Sequence, residues 1–327
     1  MLKSSLVLVA FSLWLGVAPS AASDSTFKLT LSNHAGQLSW SAEGYKIIQS
    51  SAKPNGSEIG IRGRNAVGTT FLGFLFLVPG QAPVTSSKCR DGAMDSEKKS
   101  SPSLKIQNTP EIKTAGALPV SLVRYTASKG DGKTMYIVRG FVATADICGD
   151  LEFYSDSPIS VDDGALKRVF AGYRLDEKYT PTFGDVFLYA QILYREQQFK
   201  AAGPMFERAL TLLGGNSAKD KVTMTRVLTD QAGMAYGISG DIPKARSIFE
   251  NAIAKDRDYP LYYYNLACAD AEQNNLAAAQ KHLREAFDRK ANVLHGETMP
   301  DPTTDDSFLP YRQNKDFWRF LESLQQK

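Results

Sequence analysis

The side chains that could carry out chemistry do not form a recognised catalytic pattern in this sequence. The three histidines are His34, His282 and His295, and no serine or cysteine motif lies beside them. The Gly-x-Ser-x-Gly and His-Glu-x-x-His motifs are both absent. We therefore predict no catalytic residue. The alternative, an enzyme of unrecognised type, would need a cleft in which His34 or another titratable group meets a second polar side chain.

Residues 130–134 end in Gly-Lys-Thr, as phosphate-binding loops do, but their spacing is wrong for that use. Such loops need a glycine five residues before Gly132, where Ala127 stands, and a helix must follow. The residues from Met135 onward are typical of a strand instead. The sequence therefore predicts a β-hairpin turn here and no nucleotide cofactor.

The cysteines and the loop carboxylates do not have the spacing of a metal site. The three cysteines, Cys89, Cys148 and Cys268, lack Cys-x-x-Cys and Cys/His motifs. Asp301, Asp305 and Asp306 lack EF-hand spacing, so we expect solvent around them. No metal or other cofactor is predicted.

The N-terminal residues are typical of a cleaved secretory signal. Lys3 precedes an apolar stretch over residues 6–18, and small residues follow at 20–22. The stretch is shorter than the roughly 20 residues of a membrane-spanning helix. We predict a signal peptide over residues 1–23, a periplasmic or secreted protein, and no transmembrane segment after cleavage. The alternative is an uncleaved N-terminal anchor.

Export would place the cysteines in an oxidising compartment, where pairing is favoured. Cys89 and Cys148 both precede the repeats described below, whereas Cys268 lies among small residues of a predicted helix. We therefore predict a Cys89–Cys148 disulfide. The formal net charge of +3 is near balance and, with export, argues against nucleic-acid binding.

Residues 24–179 combine short apolar runs with turn residues and are predicted to form an antiparallel α+β domain. The predicted strands cover residues 27–31, 45–48, 58–61, 71–78, 104–106, 120–127, 135–145 and 151–154. The sixth and seventh of these form the hairpin around Gly132. Leu166, Val169 and Phe170 then recur at helical spacing, which predicts one closing helix over residues 161–173.

Two later stretches, residues 226–255 and 260–289, carry one pattern at a spacing of 34 residues. Small residues occupy positions 8, 20 and 27 of each copy and a large residue occupies position 24: Gly233, Ala245, Phe249 and Ala252 in one copy, and Ala267, Ala279, Leu283 and Ala286 in the other. A third copy, counted from Phe183, has Ala190, Ala202, Phe206 and Ala209 at these positions. Small residues let two antiparallel helices approach closely.

This segment, about residues 183–289, resembles the tetratricopeptide repeat (TPR) family, whose period is 34 residues. The resemblance implies an all-α superhelix that binds proteins. The surplus residues after Gly214, including a lysine-rich run, are predicted to form a longer turn between repeats. The apolar residues of 305–324 are predicted to cap the last repeat.

Residues 103–175 resemble the PsbP and DcrB-like family in the order of their elements. In that α/β sandwich, a meander ending in an aromatic-rich strand precedes a helix with a short apolar face. The resemblance implies an extracytoplasmic accessory or assembly role and transfers no functional residue.

In the TPR family, the first helix of each repeat lines a concave groove. The side chains predicted to bind a partner there are Phe187, Gln191, Tyr194, Asp230, Met234 and Tyr264. Asn265 is the only residue that fits the family's carboxylate-binding pattern, so an apolar peptide or amphipathic helix is the expected partner. The alternative is that these residues pack against the N-terminal domain or the C-terminal cap.

The sequence therefore predicts two domains after the signal, an α+β domain over residues 24–179 and a TPR domain with a capping helix over residues 180–327. The predicted function is that of an exported scaffold for protein–protein interaction, and a homo-oligomer is compatible with it. An alternative is a small-molecule or lipid-binding N-terminal domain with the repeats as an oligomerisation arm. A deep apolar pocket between its sheet and the closing helix would favour that alternative.

Overall fold

The computed structural model describes residues 26–80, 83–108, 111–112, 118–128, 132–160, 163–214 and 218–325. The predicted signal peptide, residues 1–23, lies outside them. The chain divides between Glu196 and Gln197 into two compact units, which we call the sheet unit (residues 26–196) and the helical unit (residues 197–325). The predicted boundary at residue 180 lies earlier in the chain and stays a prediction. None of the helices in the described ranges is long and apolar enough to cross a membrane.

The sheet unit contains two antiparallel sheets. Their strands are β1 (Thr26–Thr30), β2 (Gln37–Ser41), β3 (Lys46–Ala52), β4 (Glu58–Arg64), β5 (Thr70–Leu77), β6 (Lys105–Asn108), β7 (Glu111–Ile112), β8 (Val120–Ser128), β9 (Thr134–Thr144), β10 (Ile147–Ser155) and β11 (Arg174–Asp176). The smaller sheet has the order β1-β2-β11, and the larger has the order β3-β4-β5-β10-β9-β8-β6, with β7 also paired to β8. The predicted hairpin is confirmed, because β8 and β9 pair with Ser128 opposite Thr134.

Aromatic rings fill the space between the two sheets. Trp40 of β2 lies 5.5 Å from Phe71 of β5 in an edge-on contact, measured between ring centroids, and Phe71 lies 6.1 Å from Phe153 of β10. The predicted closing helix, α2 (Gly164–Gly172), adds Phe170, whose ring lies 5.9 Å from that of Phe153. All four rings are buried. The antiparallel sheets and the closing helix confirm the α+β fold predicted for this part.

The helix α1 (Ser86–Ser100) was not predicted, because its sequence is polar and only Ser86, Cys89 and Met94 are buried. Cys89 forms the predicted disulfide with Cys148 of β10, with Cα atoms 6.2 Å apart. A crosslink that closes a loop of 59 residues stabilises the folded chain by about 4 kcal/mol. The disulfide therefore links this polar helix covalently to the larger sheet.

A third helix, α3 (Phe183–Arg195), completes the sheet unit. The Tyr189 hydroxyl donates hydrogen bonds to the backbone carbonyls of Lys53 and Glu58, at 2.8 Å each. Those carbonyls flank the turn between β3 and β4, so α3 is tied to that edge of the larger sheet.

The helical unit is a series of antiparallel helices, α4 (Phe199–Leu212), α5 (Ala218–Ile238), α6 (Ile242–Lys255), α7 (Pro260–Glu272), α8 (Leu276–Asp288) and α9 (Lys315–Gln325). The pairs α5–α6 and α7–α8 are the two helix pairs predicted from the period of 34 residues. The prediction that the lysine-rich run belongs to a turn is wrong. The helix α5 begins at Ala218, so that run is helical. Residues 218–232 contain no glycine or proline, so the helix can begin at Ala218, well before the repeat starts at Arg226.

The buried carboxylate of Asp270 joins three helices. It accepts a hydrogen bond from Arg246 of α6 at 2.5 Å and lies 2.6 Å from Nδ1 of His282 of α8. Burial acts to raise the pKa of Asp270, but the hydrogen bonds from His282 and Arg246 outweigh it and lower that pKa. His282 therefore has a structural partner in the fold.

The predicted cap is present in the structure. Phe317, Leu321 and Leu324 of α9 are buried in one cluster with Phe308. The same cluster contains Ala267, Ala279, Leu283 and Ala286, which are the repeat positions 8, 20, 24 and 27 of α7 and α8. The cap therefore covers the end of the helix stack.

Gly233, at position 8 of its copy, is expected to be sensitive to a single added methyl group. A Cβ atom at Gly233 would lie closer than 3.0 Å to the Phe249 ring, whereas one at Gly237 would lie 3.7 Å from Ala245. We expect Gly233→Ala to lower the unfolding free energy by about 2 kcal/mol. Gly237→Ala, in the same helix, should raise it by up to about 1 kcal/mol. Urea titration checks both, and equal stability of the two variants would contradict the packing argument.

Candidate partner-binding site

Repeat positions 5 and 9 of α5 and α7 form what we call the inner face of the helical unit. Its members are Asp230 and Met234 on α5 and Tyr264 and Cys268 on α7. Because positions 5 and 9 lie about one helical turn apart, each pair projects from the same side of its helix. Three of these four residues belong to the predicted groove.

The other three predicted groove residues lie on α3 in the sheet unit. Phe187 is buried and its ring stacks on that of Phe183 at 5.7 Å, whereas Gln191 and Tyr194 are partly buried. A groove shared by all six residues stays a prediction.

Asp230 is a buried carboxylate with a neutral partner. Its Oδ1 atom accepts a hydrogen bond from the Asn265 side-chain amide at 2.7 Å, and its exposed fraction is 4%. Burial raises the pKa of Asp230 to about 7, the nearby carboxylate of Glu297 adds to this, and the Asn265 hydrogen bond opposes it. Asn265, which the sequence singled out for binding carboxylates, therefore binds one from its own chain.

Tyr264 and Cys268 face a carboxylate of the segment that follows the repeats. The Tyr264 hydroxyl donates to Oδ2 of Asp305 at 3.0 Å, and the Cys268 thiol lies 3.9 Å from the same oxygen. The Tyr264 ring also meets that of Phe308 edge-on at 6.1 Å. For Tyr264, the structure thus shows the alternative considered above, packing against the C-terminal segment.

The expectation that Asp305 is a solvated loop residue is wrong. Burial raises the pKa of its carboxyl group, while hydrogen bonds from the Ser307 backbone and Tyr264 lower it. Asp301 and Asp306 are exposed, as expected. Glu297 was also missed as a partner residue: it accepts from the Tyr259 hydroxyl at 3.0 and 2.9 Å.

Met234 supplies the apolar part of the inner face. It is partly buried and packs, with Leu294 and Met299 from the C-terminal segment, against the cluster that contains Tyr259 and Leu266. An unbranched thioether side chain adapts to differently shaped partners, and methionine is common at such binding surfaces. The face thus combines hydrogen-bond donors with a deformable apolar contact.

The polar groups of the described residues do not assemble a metal site. No group of three His, Cys, Asp or Glu side chains there could hold an ion. His34 meets a second polar side chain, since its Nε2 atom lies 3.3 Å from Oδ2 of Asp146, but both are about one-third exposed. Exposed pairs of this kind contribute little to stability.

The raised pKa of Asp230 gives the folding stability a predictable pH dependence. The folded state holds this proton more tightly than the unfolded state, so the contribution of Asp230 to stability falls as the pH rises from 3.8 to about 7. We expect Asp230→Asn to raise the unfolding free energy at pH 8 by about 2 kcal/mol and to flatten its pH dependence in that range.

Asp256→Asn is the matched control for this prediction. A hydrogen bond from Arg226, at 2.6 Å, lowers the pKa of Asp256, so removing that charge should destabilise the protein at pH 8. Denaturant titrations between pH 5 and pH 8 measure both variants. A loss of stability in both would contradict the assignment of Asp230 as a costly buried charge.

No family model matches the chain, and no curated protein matches it. Among solved structures, it is similar to the Sgt2 TPR domain from Aspergillus fumigatus, with 16% identity over 45% of this chain and 79% of that one and a TM-score of 0.30. It is also similar to the type III secretion chaperone SycD of Yersinia enterocolitica, in complex with a peptide of the translocator YopD, with 15% identity over 46% and 97% of the two chains and a TM-score of 0.30. Cyanobacterial PsbP (CyanoP) from Synechocystis is similar at 10% identity over 50% and 99% of the chains, with a TM-score of 0.34. Each likeness concerns the fold of part of the chain, and both resemblances named from the sequence, to TPR proteins and to PsbP, are among them.

Proposed function

We propose that the protein is an exported scaffold that binds another protein through the inner face of its helical unit. The observation that carries the proposal is the chemistry of that face, where the Tyr264 hydroxyl donates a hydrogen bond and the partly buried Met234 supplies an apolar contact. Such a surface can hold a polypeptide by hydrogen bonds and an apolar contact. It holds no histidine, and the histidines that do have carboxylate partners lie elsewhere in the fold.

The disulfide supports the proposed export. Disulfides persist in the periplasm and outside cells but are rare in the reducing cytosol. The Cys89–Cys148 bond links the polar helix α1 to the sheet. A chain with this bond is suited to an oxidising compartment.

The described core disfavours the alternative of a ligand held between α2 and the sheet. Phe170 of α2 meets Phe153 edge-on at 5.9 Å and Tyr173 at 6.3 Å, and all three rings are buried. These rings occupy the space in which such a ligand would lie.

Export makes a prediction about the mature chain. We expect the protein from its natural source to lack residues 1–23 and to carry an oxidised Cys89–Cys148 pair. Alkylation under denaturing conditions without reductant should then label Cys268 alone, and intact-mass spectrometry measures both results. An intact N-terminus with all three cysteines labelled would refute export.

Partner binding through the inner face predicts a specific effect of truncating Met234. The mature chain, used as bait in an extract of its source, should retain a partner that Met234→Ala binds about tenfold more weakly, since truncating a central contact costs more than about 1 kcal/mol. Val222→Ala is the control, because Val222 is an exposed apolar residue of the same helix upstream of the repeat register. Circular dichroism establishes that each variant is folded.

The contrary outcome is equally clear. Equal retention of the same proteins by the mature chain and by both folded variants would refute binding through the inner face. The search for a partner site would then move to the sheet unit.

A further inference from the structure

The segment between α8 and α9 contains a long stretch without regular structure. Residues 293–308, which we call the strap, lie between one 3-10 turn, Lys290–Asn292, and another, Leu309–Tyr311. Loops of this length inside a compact unit are uncommon, and many of them are lids or binding loops. Pro300 and Pro302 restrict the backbone of the strap and remove two amide donors, which keeps it from becoming a helix.

The strap follows α7 in the same direction along the inner face. Glu297 accepts from Tyr259, the residue before α7, and Asp305 accepts from Tyr264 in the second turn of the helix. Beyond the strap, the Tyr311 hydroxyl donates to the carbonyl of Ala271 at 2.6 Å, near the end of α7. The polypeptide therefore lies along the whole helix.

The contacts of the strap have the form expected of a bound peptide. Two carboxylates accept hydrogen bonds from tyrosine hydroxyls, and between them Met299 packs into the apolar clusters of the inner face. The chain is fixed more firmly beyond this point, because Phe308 is fully buried against Tyr264 and Phe317. Phe308 therefore anchors the end of the strap in the cap.

One interaction acts against the strap. Beyond burial, the Glu297 carboxylate adds to the raised pKa of Asp230 on α5, because nearby carboxylates repel each other. No basic side chain is hydrogen-bonded to either Asp230 or Glu297 among the described residues. The strap is thus held by hydrogen bonds to neutral donors, and although burial raises the pKa of Glu297, the positive charge of Arg226 acts to lower it.

We infer that the strap is an intramolecular ligand of the inner face, and that the partner is an extended acidic segment with an aliphatic side chain between two carboxylates, which displaces it. This inference rests on the proposed scaffold function and specifies its partner. The partner's carboxylates take the places of Glu297 and Asp305, its aliphatic side chain takes that of Met299, and Tyr259 and Tyr264 donate to it.

The test uses the mature chain and a fluorescent synthetic peptide of residues 293–306, the strap sequence supplied in trans. Glu297→Ala combined with Asp305→Ala removes both contacts to the tyrosines and should loosen the strap. We expect this variant to bind the peptide at least about tenfold more tightly than the unsubstituted chain, because the competing ligand is weakened. Fluorescence anisotropy measures the dissociation constants.

Asp301→Ala combined with Asp306→Ala is the matched control, since it removes the same charge from exposed positions of the strap. It should leave peptide binding as in the unsubstituted chain. Adding Tyr259→Phe and Tyr264→Phe to the loosened variant should weaken peptide binding about tenfold. No peptide binding by a folded loosened variant, or equal tightening in the control, would overturn the inference.

Hydrogen exchange on the unsubstituted chain gives a second test that does not depend on a variant folding. If the strap opens alone, its amides should exchange at least about tenfold faster than those at the centre of α7. Exchange of both only through global unfolding would make the strap a structural element and overturn the inference. Because the capture experiment measures a partner and this one measures the strap, a failure of the proposed function and a failure of this inference give different results.

Discussion

The helical unit depends on the close approach of its antiparallel helices at small residues. At Gly233 there is no room for a Cβ atom beside the Phe249 ring, and at Gly203 a Cβ atom would lie 3.0 Å from the ring of Tyr236. Because position 8 of each first helix must face its partner helix, positions 5 and 9 lie to the side of that contact. The packing constraint therefore decides which residues can form the inner face before any partner is considered.

The inner face then meets a second constraint, because its polar groups are buried and need hydrogen-bond partners. Tyr264 and Asn265 find carboxylates within the chain, in Asp305 and Asp230. These contacts join residues 41 and 35 positions apart, so they follow neither the helical period nor the repeat period. The Tyr264 hydroxyl of α7 finds its acceptor in the strap. Without the strap, this hydroxyl would need a hydrogen bond to solvent or to another polypeptide.

The difference between contacts that follow a sequence period and contacts that do not explains what the sequence could predict. The period of 34 residues, the hairpin and the closing helix follow from local patterns, and the Cys89–Cys148 pair follows from position and from the predicted export. The helix α1 has no apolar period, because the disulfide and Met94 replace an apolar stripe. The burial of Tyr264 could not be inferred, since an open groove and a covered one place the same residue type at position 5. The strap, a loop with no repeating sequence pattern, decides whether the groove is open or covered.

Some buried carboxylates have a basic partner in the fold and others do not; in the helical unit, Asp270 has Arg246 and His282. In the sheet unit, Asp150 and Glu152 lie beside Arg139, which donates to Asp150 at 2.9 and 2.6 Å. Even there, burial raises the pKa of Glu152 to about 7. Asp230 of the helical unit has a neutral donor, Asn265, and burial together with the Glu297 carboxylate raises its pKa to about 7. A residue whose charge lowers the folding stability with no structural gain is expected where a surface serves function.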